Sequence, residues 1–285
     1  MVSLSRKAHR AFSILRWQRP GRGESRADGL GFVGPVAGEG AALHRAIVVQ
    51  SHRRSGTHFL IDTLRTRFPV ARDWFHLEED FYARLLSAPV VLKSHDRVWR
   101  EKLSREAPWG SFLHWVAASA CHDAAFHLHI MRNPRDVLRS LYFFDLKGHE
   151  GRHRIGPELG FGTYLATPSS RDPEGRLTPV ELWCAHMAGW LAPPPRVLQV
   201  RYEDLLAAPE TEVARIADFT GLAAHPPRWR ESSAIGRQTS ARFSRIFPAE
   251  WTDREEEHLL SSARRFGLPD LGYGLAVAGQ SAAGT

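Results

Sequence analysis

The sequence predicts an α/β fold, a single domain with a central parallel β-sheet flanked by helices. Two observations lead there. Short runs of Val, Ile and Leu alternate with segments of helical periodicity, and each run ends in a loop of Ser, Gly, Arg or His instead of a hairpin turn. The composition agrees: 43% of the 285 residues are apolar and 24% charged, the usage of a globular chain long enough to bury a large core. The longest apolar runs, such as Ala46-Ile47-Val48-Val49, fall far short of the ~18 residues that cross a bilayer, so no membrane span is expected.

Ala46–Gln50 reads as a buried strand, Ser51–Gly56 as a loop, and Thr57–Phe68 as a helix with Phe59, Leu60, Thr63, Leu64 and Phe68 on one stripe. Val90–Lys93 is a second strand and Phe126–Met131 a third. After the third, Asn133 caps a helix with Pro134 at its first position and Asp136 three residues beyond the cap; that helix carries Val137, Leu138, Leu141 and Phe144. Lys147–Thr178 shows no sustained period and reads as a long loop of the kind that serves function. Pro179–Leu191 is a helix ended by Pro193-Pro194-Pro195, Arg196–Arg201 a fourth strand, and Tyr202–Leu205 its exit turn. Pro209–Thr220 is a helix with Glu210 and Glu212 in its first turn and Gly221 as its stop.

The ends differ from this pattern. Met1–Gly23 has no acidic residue and carries Arg6, Lys7, Arg10, Arg16, Arg19 and Arg22 among serines, a composition shared by organellar transit peptides and by basic arms. Residues 1–43 are expected to be a basic N-terminal arm and Gly-rich linker, partly disordered, residues 44–275 the folded domain, and residues 276–285 a disordered Ala/Gly tail. Lys and Arg number 38 against 31 Asp and Glu, a net charge of +7, which points to an anionic partner without separating nucleic acid from a nucleotide or a small sulfated or phosphorylated molecule. Cys121 and Cys184 lie far apart without C-x-x-C spacing, so neither a disulfide framework nor structural zinc is expected, and a reduced, cytoplasmic setting fits.

In parallel sheets ligands bind at the carboxyl ends of the strands. The residues there form a set: Arg53, Arg54, Ser55, Gly56 and Thr57 after the first strand, Lys93, Ser94 and His95 after the second, Arg132 and then Ser140 after the third, and Tyr202 after the fourth. A glycine and small hydroxyls between a strand and a helix N-terminus make a phosphate cradle, and the arginines add charge. The loop is not a Walker A sequence, because the first glycine and the lysine after the second are both missing.

Here the chain resembles the sulfotransferases that use 3′-phosphoadenosine 5′-phosphosulfate (PAPS). Arg53-Arg54-Ser55-Gly56-Thr57 is similar to their 5′-phosphosulfate loop P-[KR]-S-G-T, His58 follows within it, and Phe59 takes the place of an aromatic that stacks on adenine. Arg132-Asn133-Pro134-Arg135-Asp136, with Ser140 eight positions after Arg132, is similar to their 3′-phosphate segment. Lys93-Ser94-His95 looks like the K-[TS]-H strand end whose histidine is the catalytic base. Tyr202-Glu203-Asp204-Leu205 looks like the Y-E-D-L element whose tyrosine approaches adenine, and His186 with Trp190 fits the H-x-x-x-W habit of the group.

The resemblance runs from about Ala46 to Tyr273 and implies a P-loop-NTPase-like sulfotransferase fold. It makes His95, Lys93 and Arg54 the catalytic set, and Arg53, Arg54, Ser55, Gly56, Thr57, His58, Phe59, Arg132, Ser140 and Tyr202 the donor-binding set. Arg237 stands nearest to the family's C-terminal basic segment, which is otherwise not recognisable. PAPS is the expected co-substrate, with no metal and no nucleic acid, and the acceptor would be a small molecule, carbohydrate or lipid. Where many members carry Lys, Arg54 stays charged and acts only electrostatically. Sulfuryl transfer spreads charge over peripheral oxygens, so cations at Lys93 and Arg54 and an imidazole near pKa ~6.5 suit it.

Other functions compete: a small-molecule P-loop kinase, disfavoured by the absent GK[ST], and a non-catalytic nucleotide or polyanion binder, disfavoured by a base beside a cation. His127 and His129 are expected to be packed, since no Cys or carboxylate completes a metal set. His149 and His153 are expected to be solvated, and Phe143, Phe144, Trp183 and Trp190 to be core or pocket wall. The acceptor loop is expected in Lys147–Thr178 with parts of Arg72–Ala88, where Arg152, His153, Arg154, Arg171 and Arg176 hint at an anionic or polyhydroxyl acceptor.

Overall fold

A computed structural model describes residues 46–70, 74–76, 91–95, 125–191, 197–226 and 249–275. The basic arm, the Pro193-Pro194-Pro195 stop, Cys121, Arg237, the C-terminal tail and most of Arg72–Ala88 lie outside the described residues.

Among the described residues five strands form one parallel sheet: β1 (Ile47–Ser51), β2 (Trp74–His76), β3 (Val91–Ser94), β4 (Phe126–Met131) and β5 (Val197–Arg201), in the order β2-β3-β1-β4-β5. Every residue of β1 and β3 is buried, which explains the continuous apolar runs: a strand covered on both faces has no polar side to alternate with. Ile47, Val49, Leu128, Ile130 and Val200 pack against α1 (Thr57–Arg67). The opposite face of β4 presents His127 and His129, both fully buried.

Helix α2 (Pro134–Lys147) starts as expected, with the Asn133 side chain accepting from the Arg135 amide and Pro134 at the first position. Helix α4 (Pro179–Gly189) has a capping box in which Thr178 and Glu181 bond each other's amides. Helix α6 (Pro209–Thr220) lies beside α1, and Arg67 joins the two by a two-pronged contact to Glu210 at 2.7 and 2.6 Å.

Two expectations are corrected, and two elements were not foreseen. The segment Lys147–Thr178 is not all loop: it holds a 3-10 turn (Gly151–His153) and α3 (Phe161–Ala166), short elements whose Phe161, Tyr164 and Leu165 enter the core. Tyr202–Leu205 is not a turn but the start of α5 (Tyr202–Ala207), where Glu203 and Asp204 suit a helix N-terminus and Leu205 is buried. Helix α7 (Asp253–Arg265) was not expected; it starts from a Thr252–Glu255 capping box and buries Leu259 and Ala263 beside α4. Edge strand β2 was also unexpected, since three residues are too few for a period.

Candidate active site

The loop between β1 and α1 turns on two left-handed residues, Arg54 at φ 72° and Gly56 at φ 97°. His52 supports it from below, its Nδ1 donating to the Arg53 carbonyl at 2.9 Å. Gly56 is required twice over. Its positive φ favours glycine, and a Cβ there would stand 2.4 Å from Cδ2 of Tyr202. The Tyr202 ring therefore lies directly on the loop, with Phe59 edge-on at 5.5 Å. Ser55 is 1% exposed, and its hydroxyl has no hydrogen-bond partner among the described residues. A buried hydroxyl at a helix N-terminus with flanking guanidinium groups fits an anionic ligand.

His95 follows β3 and folds back over the end of β1. Its Nδ1 lies 2.8 Å from the Ser51 carbonyl and 3.3 Å from the Ser51 hydroxyl, which itself is 2.6 Å from Thr57 Oγ1. A carbonyl only accepts, so Nδ1 carries the proton and Nε2 keeps its lone pair. Burial, helped by the charges of Arg53 and Lys93, holds the imidazole well below its ordinary pKa of 6.5, against the pull of the Ser51 carbonyl. The expectation of a base near ~6.5 is thus corrected downward: His95 is neutral across the physiological range.

Lys93 is 8% exposed, and burial first, then Arg53, lowers its ammonium to about 8. The ammonium donates to His58 Nε2 at 3.3 Å and lies 5.4 Å from the centre of the Trp74 ring.

The third motif meets the first. Arg54 Nε donates to Ser140 Oγ at 3.0 Å, and the Arg54 guanidinium lies 5.0 Å over Phe144. Arg132 lies 4.6 Å over the Tyr202 ring and 3.7 Å from Asp136, while its buried Nε has no hydrogen-bond partner among the described residues. A chain of contacts pins the turn after it. The Asn133 amide donates to Glu203 Oε1 at 2.8 Å, Tyr273 Oη donates to Glu203 Oε2 at 3.1 Å, and Arg135 binds the Tyr273 carbonyl at 2.8 Å and both oxygens of Glu256. The second arginine of the motif thus serves the architecture, a role that only the C-terminal residues reveal.

The expected acceptor loop meets the donor loop at Glu150, whose carboxylate lies 3.5 Å from Arg53 and 2.6 Å from Arg171. Arg171 is also paired with Asp145, to which the Tyr164 hydroxyl donates at 2.8 Å. Arg171 has a buried carboxylate partner, Asp145, so it is not held in reserve for an anionic acceptor, whereas Arg176 is exposed. His153, expected to be solvated, is instead 7% exposed, donating from Nδ1 to Ser170 at 2.9 Å and accepting from Arg152. His149 is exposed and stacks on Phe144.

Beneath the loop lies a histidine cluster that sequence spacing does not reveal. His52 meets His186 edge-on at 5.6 Å, His186 Nε2 lies 3.1 Å from His129 Nε2, and His129 stacks on Trp190 at 4.9 Å. Burial lowers His52 to about 4 and His129 to about 3, so both are neutral at pH 7. The H-x-x-x-W pair is therefore core support behind the loop. No group of three or more metal-ligand side chains occurs among the described residues.

The sequence profile described as "Sulfotransferase domain" matches residues 44–262. A search of curated protein sequences finds no match. Among solved structures, mouse sulfotransferase SULT7A1 complexed with PAP is 14% identical, with a TM-score of 0.41 over 75% of this chain and 66% of its own. A sulfotransferase from Alicyclobacillus acidocaldarius is 17% identical, with a TM-score of 0.45 over 79% of this chain and 100% of its own. The sulfotransferase domain from the curacin biosynthetic pathway is 12% identical, with a TM-score of 0.43 over 80% of this chain and 99% of its own.

Proposed function

The chain belongs to the sulfotransferase domain family, and from that premise we propose that it transfers a sulfuryl group from PAPS to a hydroxyl or amine of a small-molecule, carbohydrate or lipid acceptor. The observation that carries this reading is the state of His95. Its Nδ1 proton is committed to the Ser51 carbonyl, so Nε2 carries the basic lone pair, within two residues of a buried cation, Lys93, at the carboxyl end of the sheet.

The buried Ser55 hydroxyl, the Gly56 turn and the Arg132 Nε that lacks a partner among the described residues all fit a doubly phosphorylated nucleotide. Ser55, Gly56, Thr57, Arg53 and Arg54 would hold the 5′ end, with His58 beside them. Arg132 and Ser140 would hold the 3′-phosphate, and Phe59 and Tyr202 would face the adenine; Arg237 is carried only by the resemblance. When bound, the donor supplies a sulfuryl group on a phosphate leaving group. His95 Nε2 would take the acceptor proton as the S–O bond to the acceptor forms and the S–O bond to the 5′-phosphate breaks, releasing adenosine 3′,5′-bisphosphate, and Lys93 and Arg54 would stabilise charge on the peripheral and leaving oxygens. Arg54 does so without giving up a proton, because a guanidinium stays charged even though burial and Arg132 lower its pKa.

Two measurements test the reading. Adenosine 3′,5′-bisphosphate should raise the melting temperature by mass action and ATP with Mg²⁺ should not. Transfer from labelled PAPS should survive EDTA and fall at least ~10²-fold in His95→Gln with little change in nucleotide affinity. Stabilisation by ATP–Mg²⁺ alone, or full turnover by His95→Gln, would remove the reading.

A further inference from the structure

The Lys93 ammonium sits in unfavourable company. The charges of Arg53 and Arg54 on the loop act against it, and among the described residues Glu150 is the opposing charge that acts on it appreciably. What touches it is different in kind. Trp74 on edge strand β2 presents its ring 5.4 Å away, and His58 in the first turn of α1 accepts its proton at 3.3 Å. The two rings also meet each other, edge to face at 5.1 Å and 70°. Three elements, the edge strand, its neighbour β3 and the helix after the donor loop, thus converge on one nitrogen.

A carboxylate in that place would neutralise the ammonium and compete with the oxygens it has to serve. An indole face and an imidazole lone pair attract a cation without a full negative charge, so the charge remains available. We propose that Trp74 and His58 are positioning residues for the reaction, a neutral cradle that holds the Lys93 ammonium at the carboxyl end of β3 until the transferred group claims it. The proposal rests on the reading of Lys93 as the cation for sulfuryl oxygens, and it gives a task to an edge strand of three residues that the sequence left unmarked.

The test titrates Lys93 itself, by trace acylation from pH 6 to 11 with mass spectrometry of the Lys93 peptide, alongside PAPS turnover. Circular dichroism confirms that each variant is folded. Trp74→Leu keeps an apolar neighbour but removes the ring face, and should move the Lys93 midpoint down by about half to one pH unit. Its kcat should fall at least ~3-fold with a smaller change in donor KM. Trp74→Phe should restore both, and His58→Gln should behave better than His58→Leu because it keeps an acceptor. An unmoved midpoint in Trp74→Leu and His58→Leu overturns the cradle. So does a Trp74→Phe variant as impaired as Trp74→Leu, which would reduce the ring to packing. A lowered midpoint with unchanged kcat overturns its role in the reaction. If the midpoints move but the wild-type protein transfers no sulfuryl group to any acceptor, the cradle stands and the functional reading fails.

Discussion

Replacing Gly56 by alanine probes the contact on which the donor loop is built. The new Cβ would lie 2.4 Å from Cδ2 of Tyr202, inside any tolerable approach, at a φ of 97°. The left-handed backbone alone costs an L-residue about 1–2 kcal/mol. Forcing the ring aside adds about 1–3 kcal/mol, the usual range for overpacking, because Phe59 blocks one side and Arg132 lies over the face. Urea denaturation should therefore show a loss of roughly 2–5 kcal/mol. In a Tyr202→Ala background only the backbone part remains, and the cost of Gly56→Ala should drop to about 1–2 kcal/mol. Since a displaced Tyr202 unseats Arg132, calorimetry should also show the Kd for adenosine 3′,5′-bisphosphate raised at least ~10-fold. An equal cost of Gly56→Ala in both backgrounds would refute the reasoning, for it would mean that the ring does not rest on the glycine.

Three further outcomes follow from the same geometry. The profile of kcat/KM should have an alkaline limb near pH 8, falling about tenfold per pH unit as Lys93 loses its proton, and an acid limb well below pH 6.5 from His95; Lys93→Arg should abolish the alkaline limb only. Arg132→Ala should raise the nucleotide Kd by roughly ten- to a hundredfold in calorimetry, since a charge-assisted bond is worth about 1.5–3 kcal/mol, and Ser140→Ala should raise it less. The histidines beneath the loop should make the fold acid-sensitive. The folded pKa values of His52 and His129 lie below the unfolded value of 6.5, so the unfolded chain binds more protons as pH falls through the interval from 6.5 to about 3, and stability is lost there. At pH 5 each of His52 and His129 should cost about 2 kcal/mol relative to pH 7.5, and His129→Phe should lower the pH dependence measured by denaturant titration.

Much of this was legible in the sequence, for physical reasons. Buried parallel strands are dominated by apolar residues, so the run Ile47–Val49 and the Leu128, Ile130 and Met131 of the third predicted strand stand out, and the ends of such strands are where ligands bind in parallel sheets. The Arg54–Ser140 bond links two segments that were separately readable as phosphate sites. What escaped is what periodicity cannot encode. Trp74–His76 is too short for a pattern, and α7 buries few apolar side chains among many charges. The downward shift of His95 and the commitment of Arg171 to Asp145 depend on burial and partners brought from distant segments. His153 has the spacing of a solvated helix face and yet is enclosed by Ser170 and Arg152.

The contacts of Tyr273 carry a consequence for how the molecule comes into being. The turn that presents Arg132 is fastened through Glu203 to the Tyr273 hydroxyl and through Arg135 to its carbonyl. The loop that begins the proposed donor site is synthesised early, and the residue that locks the turn at its opposite end comes close to the C-terminal end of the described residues. During translation the N-terminal strands are free to pair first, as domains built from the N-terminus do. The nucleotide seat, however, stays unfastened until Tyr273 has emerged. A nascent chain released short of that tyrosine would hold the sheet, Lys93 and His95, yet lack the fastening of the turn from which Arg132 is presented to the ligand proposed above.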